Sequence, residues 1–131
     1  MAFALGNVRG LDMVVFSRDG DLRFVWVPDF TVLQDVALGE PISEVAINPT
    51  TAAVAVVTER HLLVLELEDE DDAMAWFVTA KRPRESSDAA VSLGWSGSSS
   101  VLVAFPDRLQ LLEVAQCRGG GGADLALAWE A

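Results

Sequence analysis

Histidine and cysteine each occur once, as His61 and Cys117. One thiol closes no disulfide within the chain, and a structural zinc site needs about four ligands. Nucleophilic catalysis requires a base beside the nucleophile, and a single imidazole flanking a turn offers little. His61 therefore reads as a solvated turn residue and Cys117 as a partly buried small residue. Basic residues are also scarce: nine Lys and Arg against 20 Asp and Glu leave a formal charge of −11. That field repels phosphate backbones, which basic side chains must neutralise for affinity, so nucleic acid is not an expected partner. No apolar run approaches the roughly 18 residues of a membrane span, and membrane insertion is not expected. Helical spacing is nowhere sustained for the 10–12 or so residues a helix would need. The opening MAFALGNVRG lacks the basic start and long apolar core of a secretory signal. Asn7 has no Ser or Thr two residues on, and Asn48-Pro49-Thr50 is blocked as a glycosylation site by its proline. The expected compartment is intracellular, the cytoplasm ahead of the nucleus.

What is present is apolar. Hydrophobic residues make up 51% of 131 and charged ones 22%, and the mean hydropathy is +0.32. The length suits one domain with one core. The balance excludes wholesale disorder and implies apolar surface covered by something outside the chain. The organising stretch is Met13–Val27, MVVFSRDGDLRFVWV: two apolar strands around a tight polar turn. Asp19-Gly20 between β-rich runs is a strong hairpin signal, because glycine supplies the positive φ of a tight turn. Versions recur at Ala53–Leu67 and Ser100–Val114, with Leu22, Leu62 and Leu109 spaced by 40 and 47 residues. A several-stranded motif repeating at about 40–45 residues marks a propeller blade.

The first cycle contains strands at Phe3–Val8, Met13–Phe16, Leu22–Val27 and Thr31–Leu38. The second contains Ile42–Ile47, Ala53–Val57, Leu62–Leu67 and Trp76–Ala80. The third contains Val91–Trp95, Val101–Phe105, Leu109–Val114 and Leu125–Trp129. Ala53–Val57, Leu62–Leu65 and Val101–Phe105 are apolar on successive residues, whereas a sheet with one wet face alternates. Both faces of these strands should be buried, as they are in a blade packed between two neighbours. The expected fold is all-β, with about three four-stranded antiparallel blades (about 2–38, 42–80 and 89–131) in one region spanning 1–131. A β-sandwich or half-open barrel is the alternative.

These cycles resemble degenerate WD-repeat blades of the β-propeller superfamily. FSRDGDLRFVW carries the likeness best, with Asp19-Gly20 in the turn and Trp26 at the repeat's tryptophan. VAINPTTAAVAVV resembles the family's strand-proline-turn-strand segment. The tryptophan position becomes Glu66 and Glu113 in the later cycles, and the repeat's Gly-His pair is missing. The resemblance implies a display surface for protein partners. Closed propellers have about four to eight blades, so three imply an incomplete ring with open faces. Other subunits or a second copy would complete it, the chain acting as a non-enzymatic scaffold in an assembly. A self-associating structural domain is the second reading. A propeller enzyme with a central-channel site is the third, resting on Glu44 and Ser92 of the innermost strands.

Several segments are candidate sites. Gly94-Trp95-Ser96-Gly97-Ser98 lacks the fifth-position glycine of a nucleophile elbow and precedes a strand, where the elbow needs a helix. Glu66, Glu68, Asp69, Glu70, Asp71 and Asp72 lack the central glycine and alternate spacing of a calcium loop. The stretch Glu68–Asp72 reads as a solvated loop, or as a contact for a basic partner. Gly119–Gly122 lacks the Lys and Ser/Thr of a phosphate loop and reads as a linker. Lys81–Arg84, the basic cluster, reads as part of a soluble loop, with nuclear import or phosphorylation as the functional alternatives. No catalytic residue, metal or cofactor is expected. Trp26, Phe30 and Trp76, with Glu68–Asp72, are the candidate partner contacts, since aromatics near strand ends make interface anchors.

Overall fold

The computed structural model describes residues 1–70, 73–84, 92–115 and 123–131. These form twelve strands: β1 Phe3–Val8, β2 Leu11–Arg18, β3 Asp21–Trp26, β4 Thr31–Ala37, β5 Ile42–Ile47, β6 Ala53–Thr58, β7 His61–Glu70, β8 Ala73–Pro83, β9 Ser92–Ser96, β10 Ser100–Ala104, β11 Leu109–Ala115 and β12 Ala123–Glu130. No helix occurs among the described residues. The strands make three four-stranded antiparallel meanders, β1–β4, β5–β8 and β9–β12, the all-β blades the repeat predicts. Blades two and three also touch at their outer strands, where Ala80 and Lys81 pair in parallel with Ala123 and Asp124.

Local chemistry explains the hairpins. Asp19 and Gly20 both have positive φ, 49° and 84°, and Arg18 pairs with Asp21. Two positive φ values in a two-residue loop match the right-handed strand twist. Arg9 and Gly10 close β1 and β2 in the same way, at 51° and 83°. Gly6 has a different reason: a Cβ there would stand 3.1 Å from the Ile47 side chain. The absent methyl lets the innermost strands of blades one and two approach.

Two cores result, each lying between blades. Val8, Met13, Val15, Leu22 and Phe24 of blade one meet Val54, Val56, Leu63, Leu65 and Trp76 of blade two. Ala53, Ala55, Val57, Leu62 and Val64 turn the other way, against Val101, Val103, Phe105, Leu112 and Leu125. Successive residues of a strand point to opposite faces, so the unbroken apolar runs of β6 and β7 serve both cores at once. All six residues of β6 are buried.

Two segments depart from the expected loops. Glu68, Asp69 and Glu70 continue β7, and Lys81, Arg82 and Pro83 continue β8. The ladder carries on because Glu68 pairs with Ala75 and His61 with Pro83; hydrogen bonding between backbones outlasts the apolar pattern that marks the strand. Asp71, Asp72, Val91, Cys117 and Gly119–Gly122 lie outside the described residues.

Leu65 is wholly buried between blades one and two. Leu65→Ala should destabilise by about 2–5 kcal/mol through transfer and cavity terms, whereas Leu33→Ala, at a half-exposed site, should change stability by no more than about 0.5 kcal/mol. Equilibrium urea unfolding monitored by tryptophan fluorescence distinguishes the two.

Candidate functional site

The turns β1–β2, β3–β4, β5–β6, β7–β8 and β9–β10 open on one rim, and most of the predicted contact residues gather there. Cross-blade bonds hold this rim together. Arg9 donates from Nη2 to the Leu67 carbonyl at 3.5 Å. Asn48, fully buried, donates from Nδ2 to the Gly97 carbonyl at 3.0 Å. Its Oδ1 accepts from the Thr50 and Thr51 amides at 2.8 and 3.2 Å. One asparagine thus shapes the β5–β6 turn and pins it to blade three.

Phe30 is 74% exposed and has φ of 58°. The left-handed region costs a non-glycine residue of order 1 kcal/mol. The turn is held by Asp29, whose Oδ1 accepts from the Thr31 amide at 3.0 Å and its hydroxyl at 2.6 Å. Trp26, at the end of β3, is half-buried and pairs with Met13 and Thr31. Glu68 is exposed on β7, and Asp69 and Glu70 follow it along the strand. Trp76 is different. It is 3% exposed and stacks on Phe24, with ring centroids 4.6 Å apart and planes at 17°. Its expected role as a surface contact is corrected: the indole belongs to the core between blades one and two, because β8 begins at Ala73 and turns this side chain inward.

Between blades two and three the rim holds a groove of about 310 Å³, lined by Thr51, Ala52, Ala53, Glu66, Trp95, Ser98, Ser99 and Val114. Trp95 is fixed by its indole N–H, which donates to the Ala46 carbonyl at 2.9 Å. Sequence reasoning did not assemble this groove, since its residues come from four strands and two turns. The one available signal was Glu66 standing where the first cycle has Trp26.

The opposite rim is tied by Glu40, between blades one and two. Its Oε1 accepts from the Thr58 hydroxyl at 3.1 Å and the Arg60 amide at 2.9 Å, and its Oε2 lies 2.7 Å from His61 Nδ1. His61 is therefore a clamped residue, not the solvated one expected from its turn position. Burial alone would raise the Glu40 pKa; the hydrogen bonds from His61, Arg60 and Thr58 outweigh it and hold the carboxyl below its ordinary value. Of the channel candidates, Glu44 is half-buried and Ser92 exposed. Among the described residues no three His, Cys, Asp or Glu side chains come together in a way that could hold a metal ion.

The uncovered sheet faces are equally notable. On the outer face of blade one, Leu5, Val14, Val25 and Val32 form one cross-strand row, and Phe3, Phe16, Arg23 and Asp35 another. Phe3, Leu5 and Val32 are 67%, 69% and 48% exposed. Arg23 grips Asp35 at 2.7 and 2.8 Å, lowering that carboxyl's pKa. Blade three presents Leu102, Leu111 and Trp129 in a row beside Gly94.

No protein-family model and no curated protein matches the sequence. Solved structures do. Hsv2 of Kluyveromyces lactis, a β-propeller protein of the PROPPIN class, superposes with a TM-score of 0.76 at 15% identity, covering 97% of this chain and 46% of that one. Hsv2 of Kluyvelomyces marxianus gives 0.75 at 16% identity, covering 97% and 44%. KlAtg21, in complex with the coiled-coil of AgAtg16, gives 0.54 at 7% identity, covering 99% and 57%. The chain thus has a propeller-type fold and spans about half the length of the structures it matches.

A folded-state pKa held below the unfolded one gives stability that is present above the unfolded value, near 4.5 for Glu40, and is lost as pH falls through the folded value. Glu40→Gln should flatten the acid limb of the stability–pH curve in that window while lowering stability at pH 7. Urea midpoints measured from pH 3 to pH 7 test this.

Proposed function

We propose that this chain is a non-enzymatic protein-interaction module, a set of degenerate WD-type blades that forms part of a larger propeller and holds one subunit of an assembly against others. The observation that carries the reading is the pair of uncovered apolar faces, Phe3, Leu5 and Val32 on blade one and Leu102, Leu111 and Trp129 on blade three. Contiguous apolar surface of this kind marks a contact site, and each face carries the residue types that fill the space between neighbouring blades. The partners are other protein subunits, or a second copy, seated on these faces. Nucleic acid and membrane insertion have no place in this reading, and the site of action is intracellular.

Two further observations support display by the loop rim. Phe30 is exposed while held at an energetically unfavourable φ, and backbone strain is retained where surrounding structure over-determines it, often at functional sites. The solved KlAtg21 structure is a complex with a coiled coil, so a chain of similar fold engages a protein. The alternative, a structural domain that associates only with itself, has the same carrying observation and differs in the identity of the covering chain.

Light scattering on the purified chain, together with mass spectrometry of whatever co-purifies from its native source, tests the reading. A mass above the monomer, or a defined partner polypeptide, is expected. A stable monomer at high concentration with nothing bound overturns it. Phe30→Ala should leave stability within about 0.5 kcal/mol of the parent and weaken partner binding by at least about 1 kcal/mol, read by calorimetry against the captured partner.

A further inference from the structure

The repeat places Trp26 on the face of blade one that looks toward blade two, cross-strand from Met13. Blade two carries Glu66 at the equivalent position, cross-strand from Ala53, looking toward blade three. A carboxylate on a two-carbon stem fills far less space than an indole, and it leaves open the 310 Å³ groove between these blades. That volume is at the low end of the roughly 300–1,000 Å³ typical of binding clefts.

The groove's chemistry is specific. Glu66 is half-buried and makes no hydrogen bond or ion pair with other residues among those described. A partly desolvated carboxylate without a counter-charge favours a cation that enters. The Trp95 ring forms another wall, locked in place through Ala46, and indole faces attract ammonium and guanidinium groups. Ser98 and Ser99 offer exposed hydroxyls at the mouth. The Thr51 hydroxyl oxygen, shielded behind the wall, has no hydrogen-bond partner among the described residues. Asn48 holds the two walls together through Gly97. Glu68 lies two residues along β7 on the face Glu66 occupies, extending the acidic track outward, and the formal charge of −11 steers basic ligands toward it.

We propose that this groove receives a lysine or arginine side chain from a partner polypeptide, its charged end on Glu66 and its stem along Trp95. The inference rests on the interaction-module reading and names the chemistry of the partner's anchor. The occupant is a polypeptide because the groove is narrow, lies on a rim of strand ends and turns, and suits one extended side chain projecting from a backbone that crosses the rim toward Glu68.

The test is an NMR titration of the full ¹⁵N-labelled chain at low salt with the capped pentapeptides Gly-Gly-Lys-Gly-Gly and Gly-Gly-Arg-Gly-Gly, with norleucine and glutamate at the central position as controls. The Lys and Arg peptides should shift the Trp95 indole N–H and the amides of Ser98 and Ser99. Norleucine should bind at least tenfold more weakly and glutamate not at all, and added salt should weaken the shifts. Glu66→Gln should reduce Lys-peptide affinity at least fivefold, whereas Glu68→Gln should change it less than twofold. Equal binding of the norleucine peptide overturns the proposal. So do shifts that survive Glu66→Gln, which would mean diffuse adsorption to acidic surface. If Glu66→Gln loses spectral dispersion, the exposed Ser99→Lys serves instead: its own ammonium should occupy the groove and abolish peptide shifts, and unchanged binding overturns the assignment. Oligomeric mass is read separately, so a monomeric chain that still binds lysine peptides would sink the completion reading and leave the groove standing.

Discussion

Strand β6, in the middle blade, has no wet face, and the rest of the molecule follows from that. Val54 and Val56 of β6 point into one core while Ala53, Ala55 and Val57 point into the other. A strand apolar on both sides cannot fold at a surface; it needs a sheet on each flank. Blades one and three supply those flanks, and each inherits the same problem on its far side, where Leu5 and Trp129 stand exposed. The covering requirement is passed outward from the centre and is left unmet at both ends of the described chain. Non-polar burial therefore explains both why three blades hold together and why the flanking two keep apolar residues exposed.

What burial cannot do is fix how the blades are angled, and polar side chains take that part. Asn48 bonds across to Gly97, Glu40 gathers Thr58, Arg60 and His61, and Trp95 reaches the Ala46 carbonyl. The Asn48 and Trp95 bonds join blades two and three, and Glu40 fixes the connection between blades one and two onto blade two. A buried hydrogen bond contributes only about 1 kcal/mol net, but leaving one partner unsatisfied costs about 1–3 kcal/mol, so these ties act chiefly by penalising every other arrangement. Glu66 of β7 stands outside these ties, on the wall of the groove between blades two and three.

Much of the architecture was readable in the chain because its signals are local or periodic. Asp19-Gly20 announced a tight hairpin and has the φ values such a hairpin needs. The unbroken apolar runs at Ala53–Val57 and Leu62–Leu65 announced two-sided burial. Strand ends were harder: β7 runs on through Glu68, Asp69 and Glu70, and β8 through Lys81, Arg82 and Pro83, because a ladder is held by backbone groups that carry no side-chain signature. Trp76 read as a surface anchor since an aromatic near a strand end looks the same whether it faces in or out; only the register of β8 on β7, which sets the indole against Phe24, decides. The groove was the least visible feature. Glu66, Trp95 and Thr51 are far apart in sequence, and a cavity is a property of what neighbouring blades fail to fill. The break in the repeat at Glu66 was its one trace.

Gln34 has a wider consequence. Its side-chain amide accepts from the Trp76 amide at 2.7 Å and donates to the Trp76 carbonyl at 3.0 Å, the two bonds one residue of a fourth-strand neighbour would make. Further along the same strand, Ala80 and Lys81 are engaged by β12. A foreign chain seeking to template on the margin of the second blade finds both places taken, one by a counterfeit peptide group and one by a real one. Strand β4, by contrast, has β3 as its one ladder partner among the described residues and no such guard along its outer margin, so it offers cross-β growth an edge that the second blade withholds.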